Sequence, residues 1–377
     1  MVGAFVGLLI ICAVAGSQEF PVTTDPADQL WPVIYGDIVV WSDYRNGNWD
    51  IYGFSLETGE EFPITTSPED QVAPALCGEY VVWEDSRNGN TDVYGFNLLT
   101  QQEFPVVIDP AEQWQPALCG EYVVWMDKRH GNWDIYGYNI SESKEFPIVT
   151  EPHDQFWPVI YGDVIVWLDK RIDDWGDFYG YNLLKGEELE IKAKHVSRTQ
   201  PVIYGDVIVW TISESISCVY NISTEEEFQI LETHSRSRPA IYEDIVVWTK
   251  TETEIRYYNL SAVLPGSLKT KKSTKGPPSI YGDVVVWADY RNGNWDIYGC
   301  TLFGESGPFK PSTPPAPSTP YQPESSTSSF SRLYQEILGE FSVFVTFAAI
   351  IIITVILLRI WVGRGEERSL KDQQKEK

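Results

Sequence analysis

Acidic and aromatic residues recur together in this chain at a fixed spacing, which makes them the first candidates for chemistry. The segment Ser42-Asp43-Tyr44-Arg45-Asn46-Gly47-Asn48-Trp49-Asp50 combines two carboxylates, a guanidinium and an indole, and versions of it return at 85–92, 127–134 and 289–296. A second set, Asp28-Gln29, Asp70-Gln71, Glu112-Gln113 and Asp154-Gln155, has Trp31, Trp114 and Trp157 close by. Indole rings offer flat apolar area, and carboxylates accept hydrogen bonds from hydroxyls. Trp31, Trp49, Trp114, Trp133, Trp157 and Trp295 are therefore candidate ligand contacts for a sugar or a peptide. Calcium would also want oxygen ligands at alternate positions, but Arg45 stands between Asp43 and Asp50, and the Asp-x-Asp-x-Asp-Gly spacing is absent. No metal or other cofactor is expected.

Catalysis needs a nucleophile with a base, or two carboxylates flanking a bond. His130, His153, His195 and His234 lie in different contexts, and there is no Gly-x-Ser-x-Gly elbow. Carboxylates are plentiful enough for a glycoside-cleaving pair, yet nothing singles out two of them. A binding function is expected ahead of a hydrolase. Residues shared by nearly every repeat are expected to build the repeat. Asp43, Arg45 and Asp50, with Asp85, Arg87, Asp92, Asp127, Arg129, Asp134, Asp289, Arg291 and Asp296, are thus expected to pair locally and fix hairpins.

The elements that carry these residues follow from the period. The phrase Ile-Tyr-Gly-Asp-Ile-Val-Val-Trp ends at Trp41 and recurs, with changes, ending at Trp83, Trp125, Trp167, Trp210, Trp248 and Trp287, at intervals of 42, 42, 42, 43, 38 and 39 residues. Short apolar runs between turn signals at a period near 40 are the mark of four-stranded propeller blades. In one repeat, Pro74–Leu76, Tyr80–Glu84, Asp92–Leu98 and Glu103–Val107 read as four strands, with an Asn-Gly hairpin between the second and third. Trp41 and its counterparts are expected between blades. The chain opens with an orphan fourth strand, Glu19 to Thr24, and the seventh repeat stops after its third, Ile297 to Phe303. The expected fold is an all-β, seven-bladed propeller over 18–305, closed by the N-terminal strand, which removes exposed sheet edges.

The two ends read differently. Residues 1–17 read as a signal peptide, apolar and ending in small residues. Residues 306–333 form a Pro/Ser/Thr-rich stalk. Residues 341–362 are long and apolar enough for one C-terminal transmembrane helix. Arginine and lysine behind it assign 363–377 to the cytoplasm and the propeller to the outside of the cell membrane. Sequons at Asn139, Asn221 and Asn259 agree with that placement. The net charge of −26 excludes a nucleic-acid partner, which would need a basic surface. Cys77 and Cys119, at a place where other repeats carry Tyr, read as small buried hydrophobes rather than a disulfide framework.

The phrase Ser42-Asp43-Tyr44-Arg45-Asn46-Gly47-Asn48-Trp49-Asp50-Ile51-Tyr52 resembles the repeat of TolB-like propellers, and the resemblance covers about 18–305. The whole plan resembles archaeal cell-surface proteins with such repeats. The resemblance implies a scaffold for contacts with protein; from the residues themselves, the expected partner is protein or glycan. The fourth repeat departs from the phrase at Arg171 to Asp177, and the fifth and sixth lose it.

Overall fold

The computed structural model describes residues 19–302 apart from 174, 195–198, 214–215, 232–237 and 251. The expected signal peptide, stalk, transmembrane helix and cytoplasmic tail lie outside these residues.

The described residues form seven four-stranded antiparallel sheets. Strand β1 (Phe20–Thr23) is followed by blade 1, built from β2 (Gln29–Tyr35), β3 (Ile38–Asp43), β4 (Asp50–Ser55) and β5 (Glu61–Thr65). Blade 2 repeats the plan with β6 (Gln71–Cys77), β7 (Tyr80–Asp85), β8 (Asp92–Asn97) and β9 (Gln102–Val107). The plan continues to blade 7, where β26 (Lys275–Tyr281), β27 (Val284–Asp289) and β28 (Asp296–Thr301) are joined by β1. The first strand of a blade is longer than its sequence suggested. Gln71 pairs with Asp85, so the linker is part of the ladder, and a bulge before Ala75 absorbs the extra residue. Blades 5 and 6 lack that Gln, and their innermost strands shrink to Val202–Tyr204 and Ala240–Tyr242.

Apolar residues of the second strand alternate between neighbouring blades, because successive side chains of a strand point to opposite faces. Val81 and Trp83 pack with Val40 and Ile51 of blade 1. Val82 packs with Val123 and Trp125 of blade 3. The seven repeated Trp residues are all buried, six of them completely. Burial of one such ring contributes about 2–3 kcal/mol.

Three contacts close the ring. Trp41 packs with Val284, Val286 and Ala288 of blade 7. Arg291 of blade 7 pairs with Glu19, just before β1, at 2.9 Å. Phe20 lies against Gly299, where a Cβ would come 2.5 Å from its ring. The glycine of each Asp-x-Tyr-Gly phrase makes room for an outer-strand ring in the same way at Gly53, Gly95 and Gly137.

Candidate functional site

The Asp-x-Arg phrase is consumed by the architecture. The indole Nε1 of Trp41 donates to Asp43 Oδ2 at 2.8 Å. Arg45 donates to both Asp43 oxygens, lies 4.1 Å over the Tyr52 ring and pairs with Glu61 of the outer strand. The same set recurs as Trp83, Asp85, Arg87, Tyr94 and Glu103, and as Trp125, Asp127, Arg129, Tyr136 and Glu145. Blade 7 uses Trp287, Asp289, Arg291, Tyr298 and Glu19. Each guanidinium is held even more firmly protonated than usual, because its two carboxylate partners outweigh its burial. Blade 4 keeps this set, as Asp169, Arg171, Tyr179 and Glu188, although its hairpin sequence diverges.

The second carboxylate of the phrase is also spoken for. Asn46 and Asn48 donate to Asp50, and Asn48 further donates to the carbonyls of Ser67 and Glu69 in the link to blade 2. Asn88 and Asn90 serve Asp92, His130 and Asn132 serve Asp134, and Asn292 and Asn294 serve Asp296. Asn294 donates to the carbonyls of Asp25 and Ala27, which ties blade 7 to blade 1. Burial raises the Asp50, Asp134 and Asp296 carboxyls above the usual range against these donors. The linker acids close the same joint from the other side: Asp28 accepts from Trp295 N, Asp70 from Trp49 N, Glu112 from Thr91 N and Asp154 from Trp133 N.

The hairpins and the linkers therefore share one face, and the candidate Trp residues lie on it in local groups. Trp31, 46% exposed, is 5.7 Å from Trp49, which in turn is 5.1 Å from Tyr44. Trp114, 42% exposed, lies 4.8 Å from Trp133. Trp157 adjoins Phe156, and Trp295 adjoins Tyr290. One expectation changes here. Trp133 is buried, under Trp114 and with Lys128 over its ring, so it backs a surface rather than forming one. Trp114 does not match Trp31 and Trp157 in register. Those two occupy the bulge with φ near +54°, as do Ala73 and Gln115, whereas Trp114 is one residue earlier. A left-handed backbone at a residue other than Gly costs about 1–2 kcal/mol.

Sequence reasoning missed Glu84. Its position is Ser42, Met126, Leu168, Thr211, Thr249 or Ala288 in the other blades, and only blade 2 has an acid there. Glu84 points toward blade 3 and accepts from Gln115 N at 2.8 Å. Burial pushes its carboxyl up to about 7, against the Gln115 N–H donor and helped by the nearby Glu112. Glu112 also accepts from Trp114 Nε1 at 3.3 Å. At the joint of blades 2 and 3, Glu112 thus holds the Trp114 indole and Glu84 the backbone of the residue after it. On the same blade, Ala73 and Thr91 stand where blade 1 has Trp31 and Trp49. The signal in the sequence was the single acid interrupting an otherwise neutral column.

The three sequon asparagines occupy turns on the opposite face. Asn139 is buried, and its Oδ1 accepts from Ser141 Oγ and Glu142 N. Asn221 and Asn259 accept from Thr224 N and Ala262 N. Asn97 and Asn182, which are not in sequons, close their turns in the same way. Among the described residues no three His, Cys, Asp or Glu side chains are grouped to hold a metal ion.

No family model and no curated protein matches this chain. Among solved structures, oligogalacturonate lyase from Vibrio parahaemolyticus superposes with a TM-score of 0.60 at 13% identity, covering 75% of this chain and 93% of that one. Oligogalacturonate lyase in complex with manganese gives 0.59 at 13% identity, covering 77% and 94%. TolB from Acinetobacter baumannii gives 0.48 at 12% identity, covering 67% and 66%. At these identities the likeness is one of fold alone, and the chain is a seven-bladed β-propeller.

Proposed function

We propose that this protein is a membrane-anchored, cell-surface binding protein that presents the Trp-bearing face of its propeller to a protein or glycan ligand. One observation carries the reading. The residues repeated in every well-formed blade are used up in joining blades, whereas Glu84 and Trp114 are not repeated and stand on the same face beside the linker acid Glu112. An exposed indole beside hydrogen-bond acceptors suits a sugar ring, whose apolar face stacks while its hydroxyls donate. The apolar run at 341–362 and the basic residues behind it support the anchored, outward-facing arrangement.

A second reading is a glycan-cleaving ectoenzyme. It is favoured by one feature, the Glu84 carboxyl that burial pushes up to about 7, with the carboxylate of Glu112 nearby. Incubating the purified full-length chain with glycan and peptide arrays, then following any bound glycan by mass spectrometry, separates the two. Retention without cleavage, lost in Trp114→Ala, supports the binding protein. Turnover abolished by Glu84→Gln replaces it with the enzyme, and no retention of any ligand overturns both.

A further inference from the structure

The last residue of each innermost strand contributes one side chain to a ring on the face opposite the Trp residues. Five are tyrosines in an unbroken arc. Tyr161 adjoins Tyr204 at 4.5 Å, Tyr204 adjoins Tyr242 at 5.1 Å, Tyr242 adjoins Tyr281 at 4.8 Å and Tyr281 adjoins Tyr35 at 4.6 Å. The remaining two places, between Tyr35 and Tyr161, belong to Cys77 of blade 2 and Cys119 of blade 3. Both thiols are only half-buried, unlike Cys218 and Cys300, which are buried. Cys77 and Cys119 pack against the cores between blades as small hydrophobes, but they are half-buried rather than buried, at neighbouring places of the ring.

Their geometry is specific. Gly120 N, one residue beyond Cys119, donates to Cys77 Sγ at 3.2 Å, which sets that sulfur against the neighbouring blade. Gly162 N donates to Cys119 Sγ at 3.2 Å. The two thiols perturb each other's ionisation: Cys119, with burial, pushes the Cys77 thiol up, whereas Cys77 draws the Cys119 thiol down to about 7. Each sulfur thus accepts one backbone N–H from the next blade, and of the two Cys119 is the one drawn toward its thiolate. An anionic sulfur next to a thiol, at a partly open rim, is the arrangement that thiol–disulfide exchange requires.

We propose that Cys77 and Cys119 are a thiol–disulfide exchange site that reacts with low-molecular-weight disulfides to form a cross-link between blades 2 and 3. The Cys119 thiolate attacks one sulfur of the reagent; the reagent's S–S bond breaks and one thiolate leaves. Cys77 gives its proton to that leaving thiolate, and its sulfur attacks Sγ of Cys119 in the mixed disulfide. The second reagent thiolate is then expelled. Two protein sulfurs are oxidised by two electrons, and one disulfide reagent becomes a thiol and a thiolate.

The test uses the full-length chain, reduced, freed of reductant and exposed to mixtures of oxidised and reduced glutathione. After quenching and alkylation, peptide mass spectrometry reads the state of each cysteine. A Cys77–Cys119 linked peptide, reversed by dithiothreitol, with Cys218 and Cys300 still reduced, is expected. Cys77→Ser is expected to stop at glutathione on Cys119, and Cys119→Ser to react at least about tenfold more slowly at pH 7. Glutathione accumulating on both residues of the wild-type chain without a link overturns the proposal. So does equal reactivity of the two single-serine variants. Thermal melting of both serine variants in reductant verifies that they are folded as the wild type is.

Discussion

Replacing Glu84 by Gln tests the reading of the blade 2–3 joint, because it removes a charge while keeping shape and acceptor. Glu84 accepts from Gln115 N, and an amide oxygen can accept in its place. Its carboxyl is raised from 4.5 to about 7, chiefly by burial. A folded-state value above the unfolded one means that the folded state prefers the protonated form. Stability from this group is then fully present below about pH 4.5 and is lost as pH rises through about 7. The full interval corresponds to about 3 kcal/mol, and partial exposure of the side chain reduces it to about 1.5 kcal/mol. Glu84→Gln should therefore match the wild type at pH 4.5 and exceed it by about 1.5 kcal/mol at pH 8, or about 3–5 °C in melting midpoint. Paired thermal melts of the two proteins across that range, at constant ionic strength, provide the measurement. A variant that is less stable than the wild type at pH 8 would refute the reasoning, since it would mean that Glu84 is ionised and held by donors. An advantage that is the same at both pH values would refute it too.

Lys275 occupies the place that Gln holds in blades 1–4, and its buried ammonium reaches Asp289 at 2.8 Å. Burial lowers the lysine, while Arg291, Lys275, Ser273 and Trp287 outweigh the burial of Asp289 and hold that carboxyl well below the usual range. Lys275→Met should cost about 2–4 kcal/mol in urea unfolding, because a buried charge loses one partner, whereas Lys275→Gln should cost less than half as much. Gly299→Ala places a methyl inside the Phe20 ring and should cost about 1–3 kcal/mol while exposing β1 to protease; adding Phe20→Leu should recover part of the loss. Ala73→Gly relieves a left-handed alanine and should be close to neutral in the same unfolding assay, where glycine elsewhere in a strand costs about 1 kcal/mol. Hydrogen exchange should be fastest in the innermost strands of blades 5 and 6, which are three residues long, and slowest in the second strands of blades 1–3. Uniform protection around the ring would contradict that ordering.

The ring was legible in the sequence because each blade repeats a pattern whose energetic parts are local. The Val/Ile-Val-Trp run announces itself at every period, the Asp-x-Tyr-Gly strand in five blades and the Asn-Gly turn in blades 1, 2 and 7. Closure was legible for a related reason, since an orphan Glu19-Phe20-Pro21 matches the Glu61-Phe62-Pro63 of blade 1 residue for residue. The length of the innermost strands was not. Gln71 reads as loop, and only the pairing with Asp85 across a bulge makes it strand. Nor was the burial of Trp133, which depends on which neighbour Trp114 leans toward.

Repetition also explains why the candidate site was harder to find than the fold. A residue present in five blades satisfies the same neighbour five times, as Arg45 and its counterparts do, and the structure leaves their charges paired. Chemistry particular to one ligand has to come from a position where the pattern is broken and the break is not repaired. By that criterion Lys275 does not qualify, because Asp289 answers it within the same blade. Glu84 does: its raised carboxyl has a backbone donor but no ion pair among the described residues, and the nearby Glu112 raises it further. Cys77 and Cys119 meet the criterion on the other face, where two sulfurs replace two phenols in a ring of seven. These breaks fall at blades 2 and 3, whose shared Asp-x-Arg joints are intact, so the most firmly built part of the ring carries the residues that the architecture does not need.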